Sequence, residues 1–426
     1  MLDFDETPHQ QTLSDGFLLR TAANATDVER VAQFNGLIHG HGIVAMTRNL
    51  FLHHPDTTGR DLIFVEEPQN GDVVSSLCVI PWNLSYEGVA IKSGEMGIVG
   101  THKDFRNRGL IRSQVEFYKQ RLHERGCVMS HIQGIGYYYR QFGYEYAMPL
   151  EGGYVITARE LPSVTVPEFT FRLASQSADD VADLIAFANQ ASQSLSIHTL
   201  RHRSIWDYLM TYSQGTEMEA ETWIIENTSG KAVAYVRLPR FHFGEELTVN
   251  EASNMGFSEA VSLLRFLTAL AVERKTPGVR LCLPASHGLM RVAKSFNARD
   301  NGTYAWQVHI PNIASLLRAI MPALERRART SMFAELTRDL HLHFYRQSVI
   351  LRFVAGRLSE VVELAGAMNE SSPNHFPPNA FTPLVLGYRS LAETLSAYSD
   401  AGVAVSDRLL IETLFPRIQS FLYTIY

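Results

Sequence analysis

The stretch Ile98-Val99-Gly100-Thr101-His102-Lys103-Asp104-Phe105-Arg106-Asn107-Arg108-Gly109-Leu110-Ile111 decides the fold of this chain. Gly94–Thr101 reads as a strand, and it runs into a basic turn that contains glycine. From Gly109 the period changes, because Leu110, Ile111, Val115, Tyr118 and Leu122 recur at helical spacing until Gly126. Such a strand–turn–helix junction binds anions well. The first N–H groups of a helix lack internal partners and sit at the positive end of its dipole. Arg106, Arg108 and Arg112 add full charges, and Gly109 removes a side chain where a phosphate must approach the backbone. A solvated basic turn before an ordinary helix carries the same pattern, so the physics alone leaves both readings open.

Working outward, Phe17–Arg20 reads as a first strand and Ala25–Gly36 as a helix opened by Thr26 or Asp27. Asp61–Glu66 and Asp72–Pro81 read as paired strands, joined through Pro68-Gln69-Asn70-Gly71. Leu84–Ile91 pairs with Gly94–Thr101 in the same reading. Beyond the amphipathic helix, Cys127–Gln133 is a strand and Gly136–Phe142 a short helix. The order describes a mixed α/β layer with a parallel crossover near its middle.

Leu161–Pro167 holds two prolines and no periodicity, which marks a linker. After it the order of elements repeats roughly 150 residues on, with strands at Phe169–Leu173, Thr222–Asn227, Lys231–Leu238 and Val279–Leu283 and helices at Ala178–Gln190, Ser258–Val272 and Gly288–Phe296. After Pro311 come a helix at Ile313–Leu324, an alternating pair Leu340–Phe344 and Ser348–Phe353, and helix-like segments near the end. We therefore expect an α/β (α+β) chain of three parts, spanning residues 1–160, 161–308 and 309–426.

Composition narrows the function classes. Of 426 residues, 46% are hydrophobic and 19% charged, which supplies several cores and excludes disorder. A net charge of −6 gives no global attraction to nucleic acid or to an anionic membrane. Cys78, Cys127 and Cys282 lie far apart, with neither disulfide-framework nor zinc-site spacing, and no metal is expected. The polar start, Met1–Gln11, lacks a signal-peptide layout, and no apolar run approaches the about 18 residues that span a bilayer. A cytoplasmic address is expected.

Arg106-Asn107-Arg108-Gly109-Leu110-Ile111, after a strand and opening a helix, resembles the pyrophosphate loop of the GNAT superfamily (GCN5-related N-acetyltransferases). It departs from the pattern in carrying Ile111 where many members have a small residue. A second signature follows at the expected distance, Tyr139-Arg140-Gln141-Phe142-Gly143-Tyr144. In that superfamily two strands splay apart around the pantetheine arm of acetyl-CoA, the co-substrate. The resemblance implies Val99, Gly100 and Thr101 on one side of the gap and Gly134 and Ile135 on the other. It implies Arg106, Asn107, Arg108, Gly109, Leu110, Ile111 and Arg112 at the pyrophosphate. It also implies Tyr139 as the general acid, a phenol of pKa about 10 that can protonate a departing thiolate without prior ionisation. Aromatic packing of Tyr137, Tyr138 and Tyr139 is the plainer alternative.

The layout of the whole chain resembles the Eis (enhanced intracellular survival) family: a competent GNAT unit, a second without its own loop, and a sterol-carrier-protein-like third domain. Phe381–Ser390 and Leu414-Phe415-Pro416 carry the last likeness. This resemblance implies N-acetylation of a multi-amine substrate, such as a polyamine, an aminoglycoside-like compound or a lysine side chain. It further implies a homo-oligomer, hexamers occurring in the family, and a terminal carboxylate, here that of Tyr426, as catalytic base. Glu95 is the rival base, since Glu95, Gly97, Val99 and Thr101 alternate onto one strand face. A non-catalytic acyl-CoA- or lipid-binding protein is the alternative function.

Overall fold

The computed structural model describes residues 6–242, 244–365 and 373–426, so the first five residues of the polar start lie outside the description. The first third runs β1 (Gln10–Thr12), β2 (Leu18–Thr21), α1 (Ala25–His39), α2 (Gly42–His53), β3 (Leu62–Glu66), β4 (Val73–Tyr86), β5 (Val89–Thr101), α3 (Leu110–Glu124), β6 (Met129–Ile132) and β7 (Glu145–Ile156). Asn24 caps α1 by accepting from the Asp27 N–H at 3.0 Å. Gly36 does not end this helix. A Cβ there would lie 2.3 Å from Val44 Cγ2, so the glycine lets α2 pack against α1, and the chain turns only at Gly40, where φ is +111°.

The strands around the turn are longer than the sequence reading. β4 and β5 form one hairpin, paired from Tyr86↔Val89 to Ser75↔Thr101. Its turn is Glu87-Gly88, both at positive φ, inside the segment read as a strand over Leu84–Ile91. Apolar residues on both sides of that dipeptide hid it. α3 packs on one face of the sheet through Val115, Tyr118 and Leu122, against Leu77, Val79 and Met96. A Cβ on Gly94 would sit 2.3 Å from Leu122 Cδ2, so any larger residue there forces the Leu122 side chain to move.

The middle third runs β8 (Thr170–Leu173), α4 (Ala178–Ser192), β9 (Ile197–Thr199), α5 (Arg203–Thr211), β10 (Ala220–Glu226), β11 (Ala232–Pro239), β12 (Leu247–Val249), β13 (Glu251–Ala252), α6 (Phe257–Glu273), β14 (Val279–Leu281), α7 (Gly288–Ser295) and β15 (Arg299–His309). The crossover β5–α3–β6 is parallel, from Ser93↔Met129 to Glu95↔His131. The crossover β12–α6–β14 repeats it, from Leu247↔Val279 to Val249↔Leu281. This is a tandem α/β architecture. The two units interlock, because β15 pairs with β6 on one side and β7 on the other, while β7 also pairs with β14. The main sheet therefore runs β1-β2-β3-β4-β5-β6-β15-β7-β14-β12.

The last third holds α8 (Ile313–Ala319), α9 (Met321–Arg329), β16 (Arg338–His343), β17 (Gln347–Val354), β18 (Arg357–Ala365), α10 (Pro378–Val385), α11 (Leu391–Ala397), α12 (Val405–Leu414) and β19 (Ser420–Phe421). The single helix read over Ile313–Leu324 is two, with Pro322 in the first turn of the second. β16, β17 and β18 form an antiparallel meander. β19 returns to the first unit by pairing parallel with β9, which itself pairs with β4. Among the described residues no helix is long and apolar enough to cross a membrane.

Candidate active site

β5 and β6 stay paired only as far as Glu95 and His131. Beyond that point β6 ends at Ile132 while β5 continues to Thr101, so the strands diverge and leave one edge of β5 open. The divergence coincides with a bulge. Cys78 faces Gly97 and Ser76 faces Gly100, so Ile98 and Val99 together oppose Leu77, and Ile98 adopts φ +48°. The bulge also changes the side-chain alternation. Glu95 and Gly97 share a face, but the next residue on that face is Gly100, whose added Cβ would meet Ile38 and His39. Val99 and Thr101 therefore leave the face that simple alternation assigns to them, and Thr101 joins Ser75 through a 2.9 Å hydroxyl contact.

The turn after β5 is built to expose N–H groups. Asn107 has φ +63° and Gly109 φ +77°, and Gly109 is the N-cap of α3 with no side-chain cap and no acidic residue in the first turn. A Cβ on Gly109 would meet nothing within 4 Å, so its glycine serves the left-handed backbone rather than clearing protein atoms. Among the described residues Arg106, Arg108 and Arg112 enter no ion pair. Arg108 lies over the rings of Phe17 and Phe105, at 5.8 and 5.5 Å. Positive charge, free N–H groups and helix dipole thus converge without a protein anion to meet them.

These elements enclose a cavity of about 840 Å³. It is lined by Val99, Gly100, Thr101, Arg106, Asn107, Arg108, Gly109, Leu110, Ile111, Arg112 and Ile135, together with Tyr138 and Tyr139. Gly134 stands apart. A Cβ on it would overlap the Tyr139 ring, and its carbonyl accepts from Tyr304 Oη at 2.8 Å and Gln307 Nε2 at 3.1 Å. That carbonyl is committed to β15, not to the cavity.

Tyr139 sits in a 3-10 turn over Tyr138–Phe142, where the sequence reading placed a helical turn. It is buried, with ring edges against Tyr138 at 5.0 Å and Tyr144 at 6.1 Å. Burial pushes its phenol above the ordinary value, so it remains protonated near neutral pH. His39, at the last turn of α1, also lines the cavity, and its pKa is lowered by burial, partly offset by a hydrogen bond to the Val99 backbone. The helix outruns the Gly36 at which the sequence pattern ended it, and the approach of His39 to Val99 depends on the packing of α1 across β5.

On the other side of the bulge lies a buried polar cluster. Glu95 is 4% exposed, accepting from Trp82 Nε1 at 3.0 Å and from Tyr426 Oη at 2.8 Å. Burial raises its carboxyl to about 8, with the two hydrogen bonds pulling the other way. The final segment is held by His54 Nε2 against the Ile425 carbonyl, at 3.2 Å. An oxygen of the Tyr426 main-chain carboxyl group accepts from Thr424 Oγ1 at 2.8 Å. The two groups that sequence reasoning set up as rivals, Glu95 and Tyr426, thus touch each other through the tyrosine's phenol. Nothing in the local sequence links positions 331 residues apart.

Residues 47–147 match the family model of the acetyltransferase (GNAT) domain, which spans the open strand edge, the arginine turn and Tyr139. No curated protein matches the sequence. Solved structures share the fold over nearly the full chain. A probable N-acyltransferase from Enterococcus faecalis V583 is 15% identical, with TM-score 0.67, covering 98% of this chain and 100% of that one. A GCN5-related N-acetyltransferase from Anabaena variabilis is 15% identical, with TM-score 0.68, covering 95% and 99%. Eis1 from Mycobacterium abscessus is 13% identical, with TM-score 0.64, covering 96% and 100%. Residues 47–147 are thus similar to a GNAT acetyltransferase domain, within an architecture whose fold these proteins share.

Proposed function

We propose that the chain transfers an acetyl group from acetyl-CoA to a primary amine of a multi-amine substrate. One observation carries this reading: an open strand edge, an uncapped helix N-terminus with unpaired arginines, and a buried neutral tyrosine line the same cavity. In this reading the pantetheine arm lies along Val99–Thr101 and the pyrophosphate on Asn107–Arg112. The amine nitrogen attacks the thioester carbonyl carbon, the new C–N bond forms, and the C–S bond breaks. Tyr139 gives its proton to the leaving sulfur, whose thiol has a pKa of about 8.5 by analogy with cysteine.

The incoming ammonium must also lose a proton. The Eis resemblance implies the α-carboxylate of Tyr426 as acceptor, a group of pKa about 3.5 when solvated. Glu95 is the rival acceptor, supported by a buried carboxyl raised to about 8 and by the hydrogen bond that it accepts from the Tyr426 phenol. Tyr426 then acts as a positioning residue.

In the same reading residues 1–160 form the competent unit, 161–308 a degenerate one and 309–426 a sterol-carrier-like domain. The second crossover supports degeneracy. Its helix α6 starts after Gly256 with Glu259 in the first turn, and the gap beside β14 is bridged by His287 Nε2 on the Ala252 carbonyl, at 3.2 Å. Thermal shift separates this function from lipid binding. Acetyl-CoA should raise the melting temperature, as a ligand of the native state does. Stabilisation by fatty acids alone, with none from acetyl-CoA, would replace the enzyme reading with the lipid-binding one.

A further inference from the structure

A second cavity, of about 700 Å³, lies where β7, β14, α7 and β15 meet the segments on either side of α11 and α12. It shares no lining residue with the first cavity. Its floor depends on close backbone approach. A Cβ on Gly153 would lie 1.9 Å from the Leu281 carbonyl oxygen, and one on Gly387 would lie 2.6 Å from the Ile418 backbone nitrogen. Part of its wall is Gly387-Tyr388-Arg389, the stretch that the sequence reading singled out and the acetyl-transfer site leaves unused.

The charges on this wall are unbalanced in one direction. Asp300 accepts from the Gly302 N–H at 2.9 Å and from Tyr154 Oη at 3.5 Å. Glu393 accepts from Ser390 N at 2.7 Å and from Arg417 Nε at 2.9 Å, which hold its carboxyl down at about 2. Both acids are thus satisfied from within the protein. Lys294 and Arg389, by contrast, enter no ion pair among the described residues, and both are half-buried. Lys294 Nζ lies 4.2 Å above the Tyr154 ring, and the Arg389 guanidinium 5.9 Å from that of Tyr398. Two cations without a carboxylate, set among Tyr154, Tyr304, Tyr388 and Phe421, make a site that favours negative charge attached to a flat apolar body.

We propose that this cavity is a second ligand site that takes a small organic anion with a planar apolar body, held by Lys294 and Arg389 against the tyrosine wall. Occupancy does not require the acetyl-transfer reading to hold, because no residue of the first cavity takes part.

Calorimetric titration of the full chain with 1-naphthoate and with the cation 1-naphthylmethylammonium tests it. The anion should bind at sub-millimolar concentration, the cation should not, and saturating CoA should leave the anion's affinity unchanged. The paired substitution Lys294→Ala with Arg389→Ala should weaken the anion by about tenfold or more. The charge-preserving pair Lys294→Arg with Arg389→Lys keeps both cations while changing their stacking, and should lose clearly less affinity than the alanine pair. Absence of naphthoate binding to the wild type, equal binding of anion and cation, displacement by CoA, or full retention of affinity in the alanine pair would each overturn the site.

Discussion

The phenol of Tyr426 donates to Glu95 Oε1 at 2.8 Å, joining the final segment of the sequence to the strand that carries the bulge. The contact places a hydroxyl and a carboxyl in one buried cluster with Trp82, on the face of β5 that continues through Gly97 to Gly100 at the cavity wall.

A pH profile follows from Glu95. In the proposed role of proton acceptor it would have to be ionised, and burial raises its carboxyl to about 8, so kcat/KM should rise with pH through that value. Glu95→Gln should lower kcat by roughly 10²–10⁴-fold and remove the rise. A profile unchanged by the substitution would transfer the role to another group.

Stability should move the opposite way with pH. The folded state raises the pKa of Glu95, so its neutral form stabilises the fold fully below the ordinary carboxylate range. That contribution is lost as pH rises through about 8. Glu95→Gln cannot ionise, and its melting temperature relative to wild type should therefore climb across this window. A constant offset between the two proteins would contradict the burial argument.

Gly109 should matter through its backbone. At φ +77° an alanine is strained by roughly 1–2 kcal/mol, although its Cβ has open space. Gly109→Ala should lower stability by about that amount, and it should weaken CoA binding by disturbing the N–H groups before α3. Arg106→Ala with Arg112→Ala should leave stability nearly unchanged, weaken CoA by about tenfold, and flatten the salt dependence of binding. Calorimetry across ionic strengths reads all three effects.

The buried pair Arg201–Glu251, at 2.5 Å with both side chains almost fully enclosed, tests the packing beneath the final segment, since Arg201 Nη1 also donates to the Thr424 carbonyl at 3.4 Å. Tyr235 Oη and Arg237 also contact Glu251. Glu251→Gln leaves two buried guanidinium groups without their counter-charge and should cost about 3–5 kcal/mol in denaturant unfolding. A loss within experimental error would show that the cluster is solvated in solution.

What the sequence disclosed, and what it hid, divides by range. The period change at Gly109 and the arginines before it announced the crossover and the basic turn that opens its helix, because those signals are local. Gly36 read as a stop and proved to be a contact with Val44, and Glu87-Gly88 turned a hairpin inside an apolar run, since neither partner lies in the local pattern. The bulge at Ile98–Val99 was invisible for the same reason: its register is set by Ser76 and Cys78 on the neighbouring strand. The exchange of β15 into the first unit, and the meeting of Tyr426 with Glu95, are tertiary facts that no spacing along the chain encodes.

The most direct test of the central claim is CoA release from acetyl-CoA in the presence of polyamines, aminoglycosides and lysine peptides, with wild type beside Tyr139→Phe. Amine-dependent release by wild type is expected, together with a kcat lower by roughly 10²–10⁴-fold in the variant at unchanged acetyl-CoA affinity. Tight acetyl-CoA binding without amine-dependent release from any of these acceptors, or equal turnover by the variant, would contradict it.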